Sequence, residues 1–84
     1  MELSREVSRL NIYLPLGSPE GPYEVRIVTN SGESLWTTGG RAKLNDGITS
    51  LQVGLSLSPT RADRYILQVR KVGSEWTSCM LVLR

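Results

Sequence analysis

Histidine and phenylalanine are absent from this 84-residue chain, and cysteine occurs once, at Cys79. Without histidine there is neither the commonest metal ligand nor the commonest general base, and a single thiol excludes an internal disulfide and any site built from several thiolates. Long apolar runs are missing too. Nothing approaches the ~20 residues that a spanning helix needs, and Met1-Glu2-Leu3-Ser4-Arg5 opens without the apolar stretch of a secretory signal. The chain as given therefore reads as soluble, with membrane attachment only through a longer parent chain. Charge of one sign is not in large excess: ten basic and eight acidic side chains leave +2, dispersed along the chain. The nearest approach to a basic run, Arg61, Arg64, Arg70 and Lys71, lacks a recognition helix and regularly interleaved aromatics, so no nucleic-acid partner is expected.

What the chain does have is period-two alternation. Leu10, Ile12, Leu14 and Leu16 share one face of a first strand. Gly17 to Pro22 is rich in residues that break ladders, and Tyr23, Val25 and Ile27 then alternate with Glu24 and Arg26 up to a turn at Asn30-Ser31-Gly32. A third strand over 33–38 holds adjacent Leu35 and Trp36, of which Trp36 is expected to face the core. Thr38-Gly39-Gly40 reads as a break before a short edge strand at 41–44, and Asn45-Asp46-Gly47 as a tight turn. Thr49, Leu51, Val53, Leu55 and Leu57 form the cleanest one-faced strand. After a loop at 58–63, Tyr65, Leu67 and Val69 alternate with Arg64, Ile66, Gln68 and Arg70. The last strand, 76–83, is apolar on both sides, Met80 and Val82 on one and Cys79, Leu81 and Leu83 on the other. Seven short strands at this spacing predict an all-β domain over residues 10–84, a seven-stranded antiparallel sandwich or else a small barrel, with residues 1–9 as a linker or N-terminal extension.

Catalytic parts are hard to assemble from this inventory. A nucleophile would need Lys43, Lys71 or a carboxylate as its base, and neither lysine lies in a motif. Glu24, Glu33, Asp46, Asp63 and Glu75 fall on separate strands and turns without acid–base spacing. Thr38 to Lys43 lacks the spacing and following helix of a phosphate loop, and no loop carries enough carboxylates for calcium. The reading is a non-enzyme with no cofactor and no metal. Cys79, inside an apolar strand, is expected to be buried and inert. Trp36, Trp76, Tyr13 and Tyr23 would form a sugar-stacking platform only if they shared a face, which makes a carbohydrate-binding sandwich the alternative function.

Leu57-Ser58-Pro59 followed by Asp63-Arg64-Tyr65-Ile66-Leu67-Gln68-Val69 resembles the L-x-P-x-G-x-Y-x-L-x-V corner of bacterial immunoglobulin-like and fibronectin type III-like modules, with Asp63 where glycine is usual. The resemblance implies that the Tyr65 hydroxyl ties the loop to the strand by a hydrogen bond to backbone. Tyr23 to Val28, the Asn30-Ser31-Gly32 turn and Trp36 resemble the same modules. Because such modules occur in envelope and secreted bacterial proteins, including extracytoplasmic parts of membrane-anchored regulators, the resemblance implies an envelope location and an interaction or spacer role.

Apolar surface in excess of one core is the remaining signal. With Tyr65, Leu67, Val69, Met80 and Val82 assigned inward, Ile66, Cys79, Leu81 and Leu83 are left on the outer side of the last two strands, bordered by Arg64 and Arg70. These six residues are the predicted interface for a protein partner or a second copy of the chain. The competing expectation is that Leu3 and Val7 fold back to cover them.

Overall fold

In the computed structural model, which describes residues 2–4, 6, 8–54, 56 and 60–84, the alternating segments become seven strands, with no helix among the described residues. They are β1 (Glu2–Leu3), β2 (Arg9–Tyr13), β3 (Gly21–Val28), β4 (Ser34–Asn45), β5 (Ile48–Gly54), β6 (Asp63–Lys71) and β7 (Thr77–Leu83). The fold is all-β. They lie in a single curled sheet in the order β1-β7-β6-β3-β4-β5-β2, a half-barrel rather than two independent antiparallel layers. The sheet is mixed: Glu2 and Leu3 pair parallel with Val82 and Leu83, and every other pairing is antiparallel. Part of the expected N-terminal extension is thus strand, and Leu3 packs against the core. Val7, Leu55, Leu57, Ser58 and Pro59 lie outside the described residues.

The curl depends on β4. Residues expected to form two strands with a break at Gly39-Gly40 form one strand of 12 residues, whose first part pairs with β3 and whose end pairs with β5. The glycines remove side chains where β5 crosses closely: a Cβ on Gly40 would stand 3.0 Å from Leu51 Cδ1 and 3.1 Å from the Gln52 carbonyl oxygen. A glycine inside a strand here marks close backbone approach, not a stop. The hairpin that follows is the expected two-residue turn. Asp46 and Gly47 both have positive φ, 52° and 79°, which a type I′ connection requires.

Folding β2 and β5 over β3, β6 and β7 closes one core. Leu10 and Ile12 from β2 and Leu51 and Val53 from β5 meet Val25, Ile27, Leu67, Leu81 and Leu83. Each large aliphatic side chain so buried stabilises the fold by roughly 1.5–3 kcal/mol. Trp36 packs on the edge of this core while Leu35, at a bulge in the β3–β4 register, is exposed. Two tyrosines fasten loops to strand starts: Tyr65 donates to the Arg61 carbonyl at 2.7 Å and Tyr23 to the Pro19 carbonyl at 2.8 Å.

Candidate protein interface

Residues directly opposite each other in a ladder share a face, so the β6–β7 register decides which side of β7 is core. Leu81 lies opposite Tyr65, Cys79 opposite Leu67 and Met80 opposite Ile66. Tyr65 and Leu67 are buried, and Leu81 and Leu83 are therefore buried with them, at 0% and 2% exposure, while Met80 is 62% exposed. This reverses the expected sides of the last strand. The six predicted interface residues are divided: Arg64, Ile66 and Arg70 stand on the outer face, Leu81 and Leu83 are core, and Cys79 is on the inner face. The cause lies in β7 itself. A strand apolar on both sides has period two but no polarity, so its sequence cannot say which set faces inward.

An outer apolar row exists, built from other side chains. Val28, Ile66 and Met80 are opposite one another on β3, β6 and β7, and Val82 flanks them two residues along β7 from Met80. Beside this row the polar part of the face is wired together. Two guanidinium groups stack on the Trp76 ring, Arg26 at 4.1 Å and Arg70 at 4.3 Å from its centroid. Arg70 donates through Nε and Nη2 to Glu24 Oε1, at 3.0 and 2.9 Å. Arg26 donates through Nε to Gln68 Oε1, whose Nε2 in turn donates to Ser78 Oγ at 3.0 Å. Three strands and the approach to β7 are thereby tied on their exterior. A tryptophan at a turn exit beside two strands that carry charge at alternate positions is the sequence signal for this ladder, and composition alone does not single it out.

Cys79 is free and exposed, contrary to the expectation of a buried thiol. The half-barrel is open where β2 and β7 face each other without pairing. There a cleft of about 360 Å³ is lined mainly by apolar side chains, among them Ile12, Leu14, Leu67, Val69 and Cys79. The four aromatics proposed as a sugar platform do not share a face. Tyr23 and Trp36 point to the core, Trp76 lies in the ladder, and Tyr13 projects from β2 at 71% exposure. Among the described residues no three His, Cys, Asp or Glu side chains are grouped as metal ligands.

Comparison with known proteins adds no relative: no family model matches the chain, nor does any curated protein or solved structure.

Proposed function

We propose that this chain is a non-catalytic protein-interaction or spacer module with an immunoglobulin-like sandwich as its scaffold, carried by a bacterial envelope protein. Three features support the scaffold reading. β2 and β5 pair with each other and β5 with the end of β4, as strands B, E and D of such a domain do; β3, β6 and β7 adjoin as C, F and G do. Tyr65 makes the backbone hydrogen bond that the corner motif requires. The envelope setting rests on the resemblance of the Tyr23–Trp36 and Leu57–Val69 stretches alone.

The observation that carries the interaction role is the strip Ile66, Met80 and Val82, backed by Val28, which is itself buried. Met80 is mostly in water, Ile66 and Val82 are partly exposed, and these three side chains, rimmed by Arg64 and the Trp76 ladder, have the make-up of a small interface centre and its polar border. The partner is a protein, either a second copy or a foreign surface. Light scattering across a concentration series tests this. Self-association that Ile66→Glu with Met80→Glu abolishes, in variants that keep the wild-type circular dichroism, supports the face as the contact. A mass that rises with concentration and is unchanged by these substitutions places the contact elsewhere and removes the proposal.

A further inference from the structure

We infer that the outer face of β2, β5 and the end of β4 binds an anionic saccharide, with a sugar ring against Tyr13 and its carboxylate or sulfate held by Arg41 and Lys43. This face is separate from the one just described. Across it Tyr13, Ser50 and Lys43 stand in one row, and Asn11 and Gln52 in the next, with Arg41 two residues from Lys43 on the same side of β4. These six side chains line a shallow depression of about 310 Å³. Its size is at the small end of ligand sites, roughly 300–1,000 Å³, and suits one or two sugar rings.

The chemistry of the lining selects the ligand. Tyr13 is 71% exposed and contributes nothing to the core, so its ring presents a rigid face at low entropic cost. Asn11, Gln52 and Ser50 offer donors and acceptors of the kind that sugar hydroxyls need, and among the described residues none of these side chains is engaged in a hydrogen bond. Neither Arg41 nor Lys43 has an ion-pair partner among the described residues, and β2, β4 and β5 contain no aspartate or glutamate. Arg9, one row beyond Asn11, adds a third cation to the same face. Arginine and lysine two residues apart on one strand, in a face shared with an aromatic ring and amides, can take a carboxylate or sulfate by charge-assisted hydrogen bonds while the ring stacks on the sugar. A neutral sugar would leave both cations unused, and a simple inorganic anion would leave Tyr13 unused.

The experiment is a titration of the 84-residue chain, followed by amide chemical shifts, with a tetrasaccharide of uronic acid, a neutral tetrasaccharide, inorganic sulfate and a single-stranded DNA of matched charge. The expected result is a set of shifts confined to β2, β5 and β4, with the uronate binding at least about tenfold more tightly than any of the other three. Arg41→Gln with Lys43→Gln should weaken it about tenfold or more, and Tyr13→Ala about threefold or more, in variants whose melting temperatures remain near wild type. No shifts at millimolar uronate overturn the inference. So does equal binding of the neutral sugar, and so does DNA binding as tight as uronate with Tyr13→Ala silent, which would make the face a generic cationic surface. Because Ile66 and Met80 are untouched, either outcome leaves the interaction reading of the other face intact.

Discussion

The two exterior faces of this sheet are made from the same kind of alternating strand, yet their charges are treated differently. On β3, β6 and β7, Arg70 is held by Glu24 and by Trp76, and Arg26 by Gln68 and by the same ring. On β2, β5 and the end of β4, Arg41 and Lys43 are held by no side chain among the described residues. A cation satisfied within its own sheet braces the strands, and its net charge is largely spent on neighbours. A cation with no partner braces nothing and repels its neighbours, so its charge, on a face with an exposed tyrosine, is open to a ligand. The first face then offers a partner its apolar row, and the second its polar side chains.

The largest effect expected is one that decides which side of β7 belongs to which face. Leu81→Glu places a carboxylate where exposure is 0%, with no cation among the described core residues to receive it. Burying an unpaired charge costs several kcal/mol, and an 84-residue domain has roughly 4–12 kcal/mol in total. Leu81→Glu should therefore be unfolded or nearly so at room temperature, while Met80→Glu, on the water side, should melt within a few degrees of wild type. Thermal denaturation of the pair reads this directly. A destabilised Met80→Glu beside a tolerated Leu81→Glu would invert the strand and with it the apolar row.

Next in size is the ladder. Trp76→Ala removes a ring that two guanidinium groups contact, and at about 0.5–1 kcal/mol for each exposed cation–π contact the loss should be near 1–2 kcal/mol. For a domain of this length that corresponds to roughly 5–15 °C in melting temperature. Tyr13→Ala, the aromatic deletion on the opposite face, should move it by far less, because Tyr13 is 71% exposed and is not a buried member of the core. Equal effects of the two deletions would erase the distinction between a bracing and a presenting face.

Much of the fold was legible in the sequence where one side of a strand was clearly oilier than the other. Leu10 and Ile12, Val25 and Ile27, Thr49, Leu51 and Val53, and Tyr65 and Leu67 all face inward as their alternation predicts. The turn at Asp46-Gly47 was legible because two consecutive positive φ angles demand that residue pair. Legibility failed in two places for physical reasons. At Gly39-Gly40 the local signal for a break is the same signal that a close crossing by β5 requires, and only the tertiary arrangement separates them. In β7 both faces are apolar, so the orientation of Leu81 is set by its partner Tyr65 through a register that no local pattern encodes. The candidate site inherited that ambiguity: Ile66, Arg64 and Arg70 stand on the outer face as their alternation predicts, whereas Met80 and Val82 take the outer positions expected of Leu81 and Leu83. The Tyr13 face has no local signature because its members come from three strands, β2, β5 and β4, that become adjacent only after the sheet curls.

The smallest expected effect carries the contrast between the faces furthest, because it concerns its sign. Glu24→Gln keeps the shape of the side chain but takes the negative charge from Arg70, a pair whose side chains are 32% and 33% exposed and which is worth about 0.2–1 kcal/mol. The melting temperature should fall by a few degrees at low ionic strength. Lys43→Gln removes a cation from among Arg9, Arg41 and Lys43, which form no ion pair among the described residues, the carboxylate at this end of β4, Glu20, accepting instead from the Leu44 amide at 2.8 Å, so stability should stay level or rise by up to about 0.5 kcal/mol. Screening should shrink both shifts: in 1 M salt, where the Debye length is about 3 Å, the two variants should converge on wild type. Melting curves at low and high salt therefore give four numbers with a fixed pattern of signs. A loss of stability in Lys43→Gln that disappears in salt would mean that Lys43 already has an anionic partner within the chain, and the face would then have no unspent charge to offer a ligand.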